Sequence, residues 1–291
     1  MLQDIGSGRF HNQYMNCSPE PEDTVLLYRD DSVLVCASGE PIRLPCFREL
    51  SPALRDLTFR YAFSIDERRC FYADAFDEED AGTLPDGLIF LPSREYRNME
   101  PRAAAFLCSV GESLHRWHRS NRFCGRCGAP MTDSASERAR VCPACGLTVY
   151  PKICPAVIVA VCDGDRLLLT KYRGRAFQRY ALVAGFNEIG ETIEETVHRE
   201  VLEETGIRVK SLRFYKSQPW VLTDSLLMGF FCQLDGPDRI TLQEDELSVA
   251  QWFSRDDLPA DHSGISLTGE MIEVFRAGKD PFRDEGQVAA E

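Results

Sequence analysis

The sequence lacks several features that would place it in a specialised class of protein. It contains no low-complexity tract and no obvious repeat, and its longest apolar run, residues 156–162, is far too short to cross a bilayer. The first fourteen residues have neither the basic start nor the apolar core of a signal peptide. With twelve cysteines and no such signal, we expect reduced thiols and a cytoplasmic protein.

Basic residues are also in the minority. The chain has 33 lysines and arginines against 46 aspartates and glutamates, which gives a net charge of −13. Such a charge argues against a broad basic surface for nucleic acid, but it allows a small nucleotide substrate that arrives with metal ions. A Gly-x-Gly-x-x-Gly motif behind a strand is absent as well, so redox use of a bound dinucleotide is not favoured.

The length of 291 residues allows two ordinary domains, and the hydrophobic pattern divides the chain into four parts. We predict an N-terminal mixed α/β domain over residues 1–120, a cysteine-rich module over 121–148, an α+β domain over 149–278 and a tail over 279–291. Strands are expected at residues 24–28, 32–37, 87–91, 156–162, 166–171, 180–185, 209–215, 226–234 and 249–253. Helices are expected around residues 104–118, 193–205 and 268–277. Strands with one central and one terminal helix favour an α+β sandwich.

Four of the twelve cysteines form two C-x-x-C-Gly turns. Cys124 and Cys127 belong to the first turn, and Cys142 and Cys145 belong to the second. Two such turns supply four thiolates in a tetrahedron, which is the arrangement that zinc prefers. Four cysteines fill the zinc shell, so a zinc ribbon with a structural role is expected. A redox dithiol would need a C-x-x-C turn that opens a helix after a strand, and neither turn has that setting.

An acidic helix is predicted between Gly185 and Ile207, in the segment GFNEIGETIEETVHREVLEETGI. Thr192 is expected to cap the start of this helix together with Glu195, and Gly206 is expected to end it. The expected buried stripe of the helix consists of Ile193, Val197, Val201 and Leu202.

Three glutamates of this helix, Glu200, Glu203 and Glu204, are expected to share one side of it. Their mutual repulsion is relieved when a hard cation such as Mg²⁺ binds to their oxygens. The alternative is a solvated acidic face, which composition alone does not separate from a metal site. Arg199 lies four residues before Glu203 and can orient carboxylates by ion pairing.

The spacing of these residues resembles the Nudix box. Gly185, Glu191 and the segment from Arg199 to Ile207 match every fixed position of that motif. The resemblance implies a Nudix α/β/α sandwich over about residues 150–278. It also implies a catalytic metal cluster on Glu200, Glu203 and Glu204, helped by a backbone carbonyl of Ala184 or Gly185, with Glu191 and Arg199 as structural partners.

A second resemblance covers nearly the whole chain. A four-cysteine ribbon, Tyr150-Pro151, a Nudix box and the segment Ser217-Gln218-Pro219-Trp220 follow one another as in the NADH pyrophosphatase branch. That branch has SQPWPFPxS, whereas this chain has SQPWVLTDS. The resemblance implies that Glu246 completes the metal site. The substrate-binding residues that it implies are Glu137, Tyr150, Phe186, Gln218, Pro219, Trp220, Val221, Leu222, Thr223, Asp224 and Ser225.

The resemblance implies hydrolysis of NADH or NAD⁺ to nicotinamide mononucleotide and AMP. Mg²⁺ or Mn²⁺ would be the catalytic cofactor, Zn²⁺ would be structural, and Glu203 is a candidate base. Alternatives are another nucleoside diphosphate derivative, such as ADP-ribose or NAD-capped RNA, and a non-catalytic zinc-ribbon binding protein. A homodimer with Tyr150 near the partner's site and no membrane partner is also expected.

Overall fold

The computed structural model describes residues 1–37, 41–73, 84–174, 179–242, 247–259, 264–279 and 282. The strands in this part of the chain are β1 (Phe10–His11), β2 (Thr24–Leu26), β3 (Tyr28–Arg29), β4 (Ser32–Cys36), β5 (Phe59–Ile65), β6 (Arg68–Ala73), β7 (Leu88–Pro92), β8 (Thr132–Asp133), β9 (Arg140–Val141), β10 (Thr148–Val149), β11 (Cys154–Asp163), β12 (Arg166–Tyr172), β13 (Val183–Phe186), β14 (Val209–Trp220), β15 (Ser225–Leu234) and β16 (Leu247–Ser254). The α-helices are α1 (Pro52–Arg55), α2 (Arg102–Ser120), α3 (Ile193–Thr205) and α4 (Leu267–Arg276).

Two compact units share the chain. One consists of residues 2–152 with 221–223, and the other consists of residue 1, residues 153–220 and the chain from residue 224 onward. We call them the N-terminal unit and the C-terminal unit. The predicted four-part division of the chain stays a prediction.

The C-terminal unit is built on a mixed sheet with the strand order β14-β15-β11-β12-β16, and β13 pairs with β11. Strands β11 and β15 run parallel, and the other pairs of this sheet are antiparallel. The predicted hairpin between β11 and β12 is present, because Asp163 pairs with Arg166 across a two-residue loop that contains Gly164 with a φ of 57°.

Helices cover both faces of this sheet. Strand β11 is accordingly apolar and buried at every position between residues 156 and 162. Val157, Val159 and Val161 pack with Val197 and Val201 of α3. The alternate residues of β11 enter a second core with α4, whose members include Ile158, Ala160, Cys162, Leu267, Met271, Ile272 and Phe275. Alternate side chains of a strand point to opposite faces, so one strand serves both cores. The predicted α/β/α sandwich is confirmed.

Helix α3 begins and ends as the sequence predicts. The Thr192 side chain accepts a hydrogen bond from the Glu195 N–H, and Glu195 Oε2 accepts one from the Thr192 N–H at 2.7 Å. Gly206 ends the helix with a φ of 70°, a conformation that favours glycine. The predicted buried stripe is wrong at Leu202, which is 46% exposed, because the face of the helix that meets the sheet turns toward Glu200 and Glu204 instead.

Other boundaries differ from the prediction by a few residues. The strand predicted over 209–215 continues to Trp220, because its pairing with β15 extends through residues 216–220. The strand predicted over 180–185 begins only at Val183, and Ala181 makes an isolated bridge to Thr170. Within the described ranges, no helix is long and apolar enough to cross a membrane.

The N-terminal unit has the predicted mixed α/β character. One sheet has the strand order β1-β5-β6-β2, and a second has the order β3-β4-β7. Helix α2 lies close to Tyr28, whose hydroxyl donates to the Cys108 carbonyl at 2.7 Å. The ribbon forms a small antiparallel sheet, β10-β9-β8, in the same unit.

Two helical glycines provide a test of this packing. A methyl group on Gly111 would meet the Tyr28 hydroxyl and lie 2.5 Å from Leu26 Cδ1, whereas one on Gly269 would lie 3.4 Å from the Ser266 hydroxyl oxygen. We expect Gly111→Ala to destabilise the chain by about 1–3 kcal/mol through overpacking. Gly269→Ala should stabilise it by up to about 1 kcal/mol through helix propensity. Urea unfolding of both variants measures the two changes, and equal effects would contradict the packing around Gly111.

Candidate active site and zinc ribbon

The acidic face of α3 is partly buried. Glu204 is 1% exposed and Glu200 is 9% exposed, whereas the Glu203 side chain is 54% exposed. The Glu200 carboxylate lies directly over Gly185 on β13, since any Cβ at that position would overlap it. A glycine is therefore required beside the carboxylate, which explains the first fixed position of the predicted motif in physical terms.

Arg199 connects most of the predicted acidic residues. Its guanidinium donates to Glu191 through Nε at 2.5 Å and Nη2 at 2.9 Å, and Nη1 donates to Glu200 at 2.7 Å and Glu203 at 3.0 Å. Nη2 also donates to the Phe186 carbonyl at 2.9 Å. Hydrogen bonding to Arg199 lowers the pKa of Glu191 to about 2, so this carboxylate is ionised at neutral pH.

Sequence reasoning missed two residues that support Glu191. The Thr196 hydroxyl donates to Glu191 Oε2 at 2.9 Å, and Asn187 Nδ2 donates to the Thr196 hydroxyl at 2.8 Å. The backbone N–H of Glu188 also donates to Glu191 at 3.1 Å. Asn187 and Thr196 lie at positions that the motif leaves variable, so only the structure reveals their contacts.

Strand β13 carries two further candidates. The Ala184 carbonyl, a predicted metal ligand, accepts a hydrogen bond from the Tyr172 hydroxyl at 3.0 Å, and a carbonyl oxygen has a second lone pair. Phe186 ends the strand and is 55% exposed, as a ring that stacks on a substrate must be. Glu246, the predicted downstream metal ligand, lies outside the described residues.

The segment 218–225 takes a defined conformation. Pro219 and Trp220 are half-buried at the end of β14, and Val221, Leu222 and Thr223 form a 3₁₀ helix. Asp224 has a φ of 56°, and its carbonyl accepts a hydrogen bond from the Cys154 N–H at 2.8 Å. Ser225 is buried at the start of β15. The Val-Leu-Thr replacement is therefore a helical turn rather than an extended stretch.

Gln218 has a contact that the sequence did not suggest. Its side chain is fully buried, with Nε2 donating to the Ile265 carbonyl at 2.8 Å and Oε1 accepting from the Leu267 N–H at 2.7 Å. Both ends of the amide therefore fasten the start of α4 to β14. Direct substrate contact by Gln218 stays a prediction.

The predicted pair Glu137 and Tyr150 lies in the N-terminal unit. The Tyr150 hydroxyl donates to Glu137 Oε1 at 3.2 Å, and Tyr150 is 57% exposed. The same hydrogen bond raises the pKa of Tyr150, so its hydroxyl stays protonated at neutral pH. The two candidate residues therefore form a hydrogen-bonded pair at the protein surface.

The four ribbon cysteines converge. Within the described residues they are the only group of three or more possible metal ligands whose ligand atoms all lie within 4.8 Å of one another. The Sγ atoms of Cys124 and Cys145 are 3.6 Å apart, and those of Cys127 and Cys142 are 3.5 Å apart. Tetrahedral zinc with Zn–S bonds near 2.3 Å places sulfurs about 3.8 Å apart, so the quartet fits a zinc ion.

The two turns that carry the cysteines have the same backbone form. Gly128 and Gly146 both have a φ of 74°, and each donates its N–H to the carbonyl of the first cysteine of its turn. Burial raises the pKa of Cys124, but hydrogen bonds from backbone N–H groups outweigh it and hold the value at about 6. A backbone hydrogen bond from Ala129 lowers the pKa of Cys127, but side-chain hydrogen bonds with Cys142 and Cys145 outweigh it and raise the value to about 12. The backbone donors therefore determine the shift at Cys124, where they favour the zinc-binding thiolate, but not at Cys127.

The zinc ribbon leads to a prediction about stability. We expect about one zinc per chain in elemental analysis, because the four thiolates form a complete ligand set. Cys142→Ser should release zinc and lower the unfolding temperature, whereas Cys232→Ser, at a buried cysteine outside the ribbon, should retain zinc. A zinc-free protein with unchanged unfolding temperature would contradict a structural zinc.

Comparisons with known proteins agree with this geometry. The family model described as NUDIX domain matches residues 152–273, and the model described as NADH pyrophosphatase zinc ribbon domain matches residues 119–150. The NAD-capped RNA hydrolase NudC of Chromobacterium violaceum is 40% identical over 195 residues, which are 67% of this chain and 72% of that protein. The protein of the same name from Haemophilus influenzae is 39% identical over 183 residues, which are 62% of this chain and 65% of the relative.

Among solved structures, a NUDIX hydrolase from Nitrosomonas europaea is similar with a TM-score of 0.41 and 24% identity, covering 47% of this chain and 80% of that one. The NUDIX domain model covers the acidic helix, and the zinc ribbon model covers the four cysteines. The family assignment rests on these two models and on the identity to the curated relatives. The chain belongs to the Nudix family, in the branch that carries the NADH pyrophosphatase zinc ribbon.

Proposed function

We propose that this chain hydrolyses the pyrophosphate bond of NADH or NAD⁺ and releases nicotinamide mononucleotide and AMP. The proposal rests on the set of three glutamates on one side of α3. Arg199 orients Glu200 and Glu203, and Glu200 also lies over Gly185. The names of the curated relatives, NAD-capped RNA hydrolases, support a nicotinamide dinucleotide as the substrate.

The donor set fits a hard divalent cation. Glu200, Glu203, Glu204 and the Ala184 or Gly185 carbonyl offer oxygen atoms only, and Mg²⁺ and Mn²⁺ prefer oxygen ligands. We propose that these residues, with Glu246, hold the ions. A bound ion would neutralise the diphosphate and lower the pKa of a bound water.

The residues of the chain have separable roles in this proposal. Arg199 and Glu191 hold the carboxylates in place, and Glu203 is the most exposed of the three candidate ligands. We assign Glu203 the acceptance of a proton from the water that attacks phosphorus in line. The new P–O bond forms as the bridging P–O bond breaks, and the departing phosphate oxygen carries away the bonding pair.

Substrate recognition is proposed for residues at two places. Phe186 is exposed at the end of β13 and has a flat apolar ring for a base or a nicotinamide. The segment 218–225 supplies further candidates. Glu137 and Tyr150 are proposed to face the site of a second copy in a homodimer, which accounts for an exposed tyrosine held by a carboxylate. A cytoplasmic location completes the proposal.

NAD-capped RNA is the second candidate substrate, because the curated relatives are named NAD-capped RNA hydrolases. It shares the scissile bond with NAD⁺, so the same glutamates would act on both. Incubation with NADH, NAD⁺, ADP-ribose and NAD-capped RNA, with Mg²⁺ or Mn²⁺, followed by chromatography of the products, tests the assignment. Nicotinamide mononucleotide from NAD⁺, or its reduced form from NADH, supports it, and cleavage of ADP-ribose alone contradicts it.

The carboxylates of α3 provide a mutational test. Glu203→Gln keeps the size of an exposed side chain and removes its charge, so turnover should fall by about two orders of magnitude or more, with little change in unfolding temperature. Glu194→Gln is the matched control, since Glu194 is an exposed glutamate in the first turn of the same helix. Steady-state hydrolysis of NADH measures both variants.

Full activity in Glu203→Gln, or an equal loss in Glu194→Gln, would place the chemistry elsewhere. Glu204→Gln is a less clean variant, because Glu204 is 1% exposed and its replacement also changes a buried environment. A loss of activity in Glu204→Gln supports a catalytic role only when the unfolding temperature of the same variant is unchanged.

A further inference from the structure

The N-terminal unit contains a cavity of about 220 Å³ that no residue of α3 lines. Its walls are rich in aromatic side chains, namely Tyr14, Phe59, Tyr61, Tyr72 and Trp117. The volume is below the range of about 300–1,000 Å³ that is usual for drug-sized ligands, so only a small molecule fits. Flat apolar walls of this kind favour a planar ring.

One cation lines this cavity without a carboxylate partner. Arg138 donates through Nη1 to Asn12 Oδ1 at 2.7 Å and through Nη2 to the Ala62 carbonyl, and both acceptors are neutral. Among the described residues, no carboxylate lies within ion-pair distance of Arg138, and its Nε–H has no acceptor. Burial lowers the pKa of Arg138, but an arginine stays charged at neutral pH. A partly buried charge of this kind favours an anionic ligand.

The carboxylate nearest to this arrangement is already compensated. Asp133 lines the cavity and accepts hydrogen bonds from Arg60 at 2.6 Å and Arg140 at 2.5 Å. Burial raises the pKa of Asp133, but hydrogen bonds from His118 and Arg140 outweigh it and hold the value well below its usual range. Arg60 and Arg140 therefore compensate Asp133 within the wall, and among the described residues Arg138 is left without a carboxylate partner.

The second carboxylate at the cavity, Glu137, has its own partner in the Tyr150 hydroxyl, at 3.2 Å. One oxygen of the Glu137 carboxylate therefore accepts a hydrogen bond from a tyrosine that does not line the cavity. Of the described residues, Arg138 is therefore the lining cation that has only neutral acceptors.

Trp117 adds a hydrogen-bond donor to the same walls. It lies on α2, is 8% exposed, and its Nε1–H has no acceptor among the described residues. A buried N–H without an acceptor is unfavourable, and buried tryptophans usually find a partner. An acceptor atom on a bound molecule would remove that penalty.

We propose that this cavity is a binding site for a small aromatic anion, whose ring system carries a carboxylate directly or a phosphate through a sugar. The ring would lie among the tyrosine and tryptophan side chains, the anion would pair with Arg138, and an acceptor would take the Trp117 N–H. No residue of α3 lines this cavity, although Glu137 belongs both to its wall and to the proposed substrate-binding residues. Two sources supply this ligand chemistry, aromatic carboxylates and nucleoside monophosphates.

Calorimetric titration of the full zinc-loaded chain tests the site. Nicotinate and AMP are the anionic probes, and nicotinamide and adenosine are their neutral counterparts. At least one anionic probe should saturate with a Kd below about 1 mM, and its neutral counterpart should bind at least about tenfold more weakly, as expected for a charged hydrogen bond. Saturation by nicotinate alone indicates an aromatic carboxylate. Saturation by AMP indicates a nucleotide in this cavity only when the variants below weaken it, because AMP is also a product of the proposed hydrolysis.

Variants then connect the binding to the cavity. Arg138→Gln removes the charge and Trp117→Phe removes only the N–H donor, and each should weaken the anionic probe by about threefold to thirtyfold. Arg119→Gln is the matched control, since Arg119 is exposed on the same helix as Trp117. If Arg138→Gln does not fold, Trp117→Phe decides, because it keeps the aromatic wall.

Three results would overturn the proposal. The first is failure of both anionic probes to saturate the chain at millimolar concentration. The second is binding of the neutral counterparts with equal affinity. The third is unchanged affinity in Trp117→Phe and in every folded Arg138 variant, which would place the bound molecule outside the cavity.

Discussion

The guanidinium of Arg199 is the interaction on which the candidate active site depends. One planar group contacts Glu191, Glu200 and Glu203 and the Phe186 carbonyl, with distances of 2.5–3.0 Å. Without a cation among them, these carboxylates would repel one another and separate. Arginine suits this position because its donors form a rigid fork, whereas a lysine has a single point charge.

The sheet gives this network its fixed position. Strand β11 is apolar on both faces, so α3 and α4 pack on opposite sides of it. Because β13 pairs with β11, Gly185 lies under the Glu200 carboxylate, where any side chain would collide. Gln218 fastens the start of α4 to β14 through two buried hydrogen bonds. Packing and polar contacts therefore fix α3 and α4 on the two faces of the sheet.

Local patterns carried most of the successful sequence predictions. The cysteine turns, the capping box at Thr192 and the acidic spacing depend on residues that are near one another in the chain, so their geometry follows from local backbone rules. Contacts between distant segments could not be predicted in this way. The clamp at Gln218 joins residues 47 and 49 positions apart, and the exposure of Leu202 depends on which helix face the sheet covers. The cavity beside Arg138 also needs several distant strands.

The affinity of the full chain for Mn²⁺, measured by electron paramagnetic resonance in wild type and in Arg199→Lys, tests the role of the network most directly. Lysine keeps the charge but cannot reach three carboxylates at once. We expect Mn²⁺ affinity to fall by at least about tenfold, with the zinc content unchanged, because the glutamates lose their common orientation. Unchanged Mn²⁺ affinity together with unchanged NADH hydrolysis would contradict the central role of Arg199.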